Sequence, residues 1–137
     1  MDFDLDLAVK QDSQNPVYYV QYAHARICSI FRKLNTSDLE NYKSQSDDCL
    51  NVLTDLNERK LIFYMSSYPE ELIKSAKFYD PTKITRYVIE LATLFHKFYS
   101  SSKIISEDPI KTAARLHLCN SVKIILKSVL DLMKVEA

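Results

Sequence analysis

Glycine is absent from all 137 residues. Gly-rich phosphate loops, dinucleotide fingerprints and nucleophile elbows need it where the backbone turns sharply or meets a ligand. None of them can be built here. Tight hairpins that need positive φ also lose their usual residue, which favours helices joined by polar loops. Net charge is missing too, with Lys+Arg and Asp+Glu both at 18. The whole chain therefore has no attraction for phosphate, and a nucleic-acid role must rest on a local surface. No apolar run reaches the roughly 18 residues of a membrane span. The N-terminus lacks a basic stretch followed by an apolar one, so no signal peptide is read. A cytoplasmic protein with no membrane partner is expected. Cys28, Cys49 and Cys119 are scattered and show no metal-ligand spacing. They are expected to be small buried hydrophobes in a reducing compartment, with no metal bound.

What is present suits one core. Hydrophobic residues make up 47% and charged residues 26%, enough for one globular domain. Met1–Ala8 alternates acidic and apolar residues with period two, as a short extended segment would. Residues 1–14 are read as a tail or the stump of something larger. Asp2, Asp4 and Asp6 share one side of that segment, but nothing else in the chain supports ligation.

Three cap-plus-proline pairs then mark helix starts: Asn15-Pro16, Asp80-Pro81 and Asp108-Pro109. The first helix is expected over 15–34, burying Val17, Val20, His24, Ile27, Phe31 and Leu34. Residues 35–49 read as a polar connection with a short helical turn. A helix over 54–67 should bury Leu53, Leu56, Leu61 and Met65, and a short one runs from Pro69 to about Phe78. Ile84, Val88, Leu91, Phe95 and Phe98 define a stripe over 81–99. Leu116, Cys119, Val122, Leu126, Leu130 and Met133 define another over 109–134. The expected architecture is an all-α antiparallel bundle of four to five helices, preceded by a short extended N-terminal segment.

The first helix has a second face. Asn15, Tyr19, Tyr22, Arg26 and Lys33 recur at helical spacing, well around from Val20, Ile27 and Phe31. Two phenol rings and a guanidinium are expected to project there, where the core does not need them. Such rings stack on unpaired bases, and Arg pairs with phosphate or a base edge. Packing of both rings against neighbouring helices is the competing reading. His24 falls in the apolar stripe and reads as a packed histidine without a dyad partner. His96 and His117 stand alone on separate helices and make no metal set. No catalytic residue is assigned.

The run Asn15-Pro16-Val17-Tyr18-Tyr19-Val20-Gln21-Tyr22-Ala23-His24-Ala25-Arg26 resembles the opening of the C-terminal anticodon-binding (DALR) domain of arginyl-tRNA synthetases. Arg86-Tyr87, Leu91-Ala92 and Phe95-His96-Lys97-Phe98-Tyr99 look like the family's later helix. Ala113-Ala114-Arg115-Leu116 with Leu130-Asp131-Leu132 looks like its last, and Asp2–Ala8 looks like the end of the catalytic domain. The resemblance implies a helical domain over 15–137 that holds the anticodon loop of the arginine tRNA through Tyr19, Tyr22 and Arg26, and Asn15 joins this RNA-binding set by its spacing. It implies the rest of the synthetase as the other partner. ATP and arginine would bind the catalytic domain, whose HIGH-type and KMSK-type signatures are not in this chain, so an excised domain without a cofactor of its own is expected. Family members often run on to a terminal Met near the anticodon, whereas this sequence ends at Ala137. A helical protein-interaction module, the equivalent domain of another synthetase, and an enzyme acting alone through a Cys or His are the other readings.

Overall fold

The computed structural model describes residues 16–78 and 80–133. Among these lie α1 (Pro16–Arg32), α2 (Thr36–Ser44), a 3₁₀ turn (Asp47–Val52), α3 (Leu56–Met65), α4 (Tyr68–Lys77), α5 (Pro81–Ser101) and α6 (Pro109–Leu132). No strand occurs among the described residues, so the all-α class holds. The extended segment read over 1–14 lies outside them. Two of the three cap-plus-proline signals work as written, and Asn15 of the third lies outside the described residues. Asp80 accepts from the Thr82 amide at 3.1 Å, and Asp108 from the Ile110 amide at 2.9 Å. The polar connection turns out to hold α2, because the Asn35 side chain accepts from the Asp38 amide at 2.7 Å and caps it.

Side-chain contacts give the helix directions. Thr85 Oγ1 meets Met133 Sδ at 3.9 Å, while Arg115 Nη1 donates to the Lys103 carbonyl at 2.6 Å. α6 therefore runs back along α5. Asn57 bonds Ser101 at 2.9 Å and the Tyr64 hydroxyl bonds the Tyr87 carbonyl at 3.2 Å, so α3 also opposes α5. Tyr19 lies beside His96 and Arg26 beside Tyr99. α1 and α5 thus run the same way, brought together by the excursion through α2–α4.

The core gathers Val20, Ala23 and Ile27 of α1, Leu91, Ala92, Phe95 and Phe98 of α5, and Leu116, Cys119, Val122, Leu126 and Leu130 of α6. Leu56 corrects the expectation. It is 67% exposed, because it opens α3 five residues before buried Leu61 and cannot share its face. The inward place goes to Glu58, only 1% exposed. One Glu58 oxygen accepts from the Asp55 amide at 3.1 Å, and the other takes Arg115 Nε at 2.8 Å. Cys28 and Cys49 also depart from expectation: both are half-buried, and only Cys119 is fully enclosed.

Arg115→Met leaves the Glu58 carboxylate buried without its cation and is expected to cost about 3–5 kcal/mol in urea unfolding. Arg115→Met combined with Glu58→Leu is expected to regain more than half of that loss, since an apolar pair of similar volume removes the stranded charge.

Candidate nucleic-acid interface

α1 and the residue after it, Pro16–Lys33, contain Arg26, Arg32 and Lys33 and no Asp or Glu. A neutral chain thus carries a locally basic helix. α1 buries Val20, Ala23 and Ile27. At 100° per residue, that leaves Tyr22, Ala25, Arg26 and Ser29 along its outer edge. α5 lies alongside and contributes His96 and Tyr99, three residues apart and so on one face.

The two helices meet in a ladder of rings. Tyr22 stacks on His96, with centroids 5.4 Å apart and planes 28° apart. Tyr19 meets the same imidazole at 5.3 Å, tilted by 54°. Arg26 Nη2 donates to the Tyr22 hydroxyl at 2.7 Å. Its guanidinium carbon sits 4.3 Å from the Tyr99 ring centroid and 5.1 Å from that of Tyr22. Arg26 and Lys33 enter no ion pair among the described residues. Tyr22, Arg26, Ile30, Lys33 and Tyr99 line a groove of about 360 Å³, with no carboxylate among the described residues of its walls. A second groove of about 370 Å³ continues it past Leu34 to Ile104 and Ile105.

These positions refine the sequence reading. Tyr22 stands clear, at 46% exposed. Tyr19 does not, because it is half-buried and packs against the core. Arg26 is half-buried between the two helices. Asn15 lies outside the described residues. His96 is far from alone, since Tyr19, Tyr22 and Phe95 all touch its ring. His117 likewise meets Tyr42 at 4.4 Å, and its Nε2 lies 2.9 Å from the Tyr42 carbonyl. His24 does have a neighbour one turn on: Cys28 Sγ lies 3.7 Å from its Nδ1. The i,i+4 spacing of those two residues is visible in the sequence and is the signal that the dyad-free reading overlooks. Burial first, then the charges of Lys123 and Lys127, lowers the His24 pKa, while Cys28 stays half-buried. Neither residue lines the grooves described here.

His96 and Tyr99 are the residues that sequence reasoning missed as members of this face. Their i,i+3 spacing shows that they share a side of α5. It does not show that this side meets Tyr22. The His96 imidazole is pushed down to about 4, chiefly by burial and secondly by the Arg26 charge, so it is neutral at physiological pH.

A larger cleft of about 480 Å³ lies elsewhere on α5, lined by Tyr64, Tyr87, Glu71, Glu90, Lys83 and Arg86. Volume favours it, but its two acids offset its two bases. Tyr64 and Tyr87 are stacked on each other at 4.5 Å and bond each other's carbonyls. The α1–α5 face instead combines half-open rings with unpaired cations. It can stack an unpaired base and hold a phosphate. Among the described residues, no group of three His, Cys, Asp or Glu could hold a metal ion. No helix there is long and apolar enough to cross a membrane.

The described residues form an all-α domain whose α1–α5 edge gathers aromatic rings and basic side chains. A sequence profile described as the DALR anticodon binding domain matches residues 20–137. The chain belongs to that family, and Tyr22, Arg26, His96 and Tyr99 fall inside the match. The whole chain is 44% identical to part of an arginine–tRNA ligase from Ruminiclostridium cellulolyticum, and 42% identical to those from Acetivibrio thermocellus and Acinetobacter baylyi. It spans 24%, 24% and 23% of their lengths. These likenesses favour anticodon binding over a protein-interaction module.

The ionisation of His96 gives a test of the ladder. The unfolded chain takes up a proton near 6.5, whereas the folded imidazole resists it down to about 4. Unfolding is therefore increasingly favoured as pH falls through that window. The thermal midpoint is expected to drop between pH 6.5 and 4, with a smaller drop in His96→Phe. An imidazole NMR titration should place the His96 inflection near 4.

Proposed function

We propose that this chain is the part of an arginine–tRNA ligase that holds the anticodon loop of the arginine tRNA. Tyr22 and Tyr19 stack on or pack against unstacked loop bases, and Arg26 contacts a phosphate or a base edge. Tyr99 backs the guanidinium, and Asn15, four residues before Tyr19 in the sequence, is assigned to the same RNA-binding set. The observation that carries this reading is the Tyr22 ring, half exposed, stacked on His96 and bonded by Arg26 at the rim of an acid-free groove. The relatives' name supplies the tRNA and the amino acid. ATP and arginine are handled by the other three-quarters of the ligase, so this chain adds affinity and selection and carries out no chemical step. Residues 1–14 lead in from the catalytic domain.

Stacking is worth about 1–3 kcal/mol per base, so Tyr22→Ala is expected to weaken binding of an arginine tRNA by about fivefold or more. A Tyr19/Tyr22/Arg26 triple-alanine variant should lose about a hundredfold or more while keeping its helical content. Fluorescence anisotropy at two salt concentrations, with an anticodon-altered tRNA as control, measures this. Phosphate contacts make the wild-type affinity fall steeply with salt. An unchanged affinity in the triple variant contradicts the assignment. A salt-independent affinity points instead to an apolar docking groove.

A further inference from the structure

We propose that His96 is a positioning residue for RNA recognition, a flat platform that fixes the Tyr19 and Tyr22 rings in their reading geometry. The proposal rests on the RNA-face reading above. His96 joins the core to the surface. One contact is Phe95, which is fully buried and meets the imidazole at 5.6 Å and 61°. The other contacts are Tyr19 and Tyr22. A ring as exposed as Tyr22 would otherwise sample several rotamers and lose that freedom when a base stacks on it. His96 holds its face and Arg26 holds its hydroxyl, so the plane of the ring is set before RNA arrives.

The imidazole nitrogen is not what does this. His96 Nε2 is buried and has no hydrogen-bond partner among the described residues. What the site uses is the ring. The charged groups facing it are consistent with a neutral platform: Arg26 lies nearby on α1, with the phenols of Tyr19 and Tyr22, and a protonated imidazole would sit against a second cation.

The test measures affinity for the anticodon stem–loop of an arginine tRNA, with thermal midpoints to confirm folding. His96→Ala is expected to weaken binding by about fivefold, and His96→Phe to recover to within about twofold of wild type, because a flat ring is restored. His96→Leu, similar in bulk but not planar, should bind like the alanine variant and replaces it if alanine fails to fold. In a Tyr19→Ala/Tyr22→Ala background, the alanine and leucine changes should cause no further loss. Weak binding by His96→Phe would show that the nitrogen touches RNA and overturn the proposal. A loss of the same size in the double-alanine background would also overturn it, since His96 would not then act through the tyrosines. If Tyr19→Ala/Tyr22→Ala binds as wild type does, the RNA-face reading fails and this proposal with it. If that variant is weak but His96→Leu binds like wild type, only the positioning role fails.

Discussion

Burial of α5 is the constraint from which the rest of this structure follows. Ile84, Tyr87, Val88, Leu91, Ala92, Phe95 and Phe98 all lie inside, and α1, α3, α4 and α6 pack around them. Each large apolar side chain so enclosed contributes about 1.5–3 kcal/mol, so no neighbour can leave without exposing part of that stripe. The central helix therefore fixes where α1 lies. α1 in turn has little choice of rotation, because Val20, Ala23 and Ile27 must face inward. Once both rotations are set, the residues left at the seam are Tyr19, Tyr22 and Arg26 on one side and His96 and Tyr99 on the other. The proposed recognition face is what two well-buried helices leave over along their shared edge.

That edge also resolves the electrostatic puzzle of a neutral chain belonging to a tRNA-binding family. Charge is uneven from helix to helix, and mixed within most of them. α1 has no acid, whereas α4 opens with Glu70 and Glu71. The cleft near Tyr64 mixes both signs, while the α1–α5 groove presents Arg26 and Lys33 with no carboxylate beside them. Long-range steering by such a chain is weak, and the proposed reading therefore rests on short-range stacking and one or two phosphate contacts. A pre-set ring geometry matters more under those conditions than it would in a strongly basic domain.

Much of this could be read from the residues. Periodicity located α5 and α6 closely, because both carry long stripes at three/four spacing. Asp80-Pro81 and Asp108-Pro109 marked their starts through local hydrogen bonds that need no tertiary context. Tyr22 and Arg26 were legible because helical geometry alone puts them on one edge. Three features were not legible, for different reasons. Leu56 reads as core by hydrophobicity alone, but five residues before Leu61 it lies on another face of α3. The inward position of Glu58 depends on Arg115, 57 residues away, and no local pattern announces such a pair. His96 and Tyr99 have spacing that names a face of α5, and only the packing of α1 against that face gives the histidine its neighbours. Residues whose role is set by their own helix were visible, and residues whose role is set by another helix were not.

The most direct measurement of the central claim is an NMR titration of the tyrosine ring signals with the anticodon stem–loop of an arginine tRNA. The account predicts that Tyr19, Tyr22 and Tyr99 shift together as RNA is added, while Tyr64 and Tyr87 stay in place. Shifts confined to Tyr64 and Tyr87, with the α1–α5 rings unmoved at saturation, would contradict it.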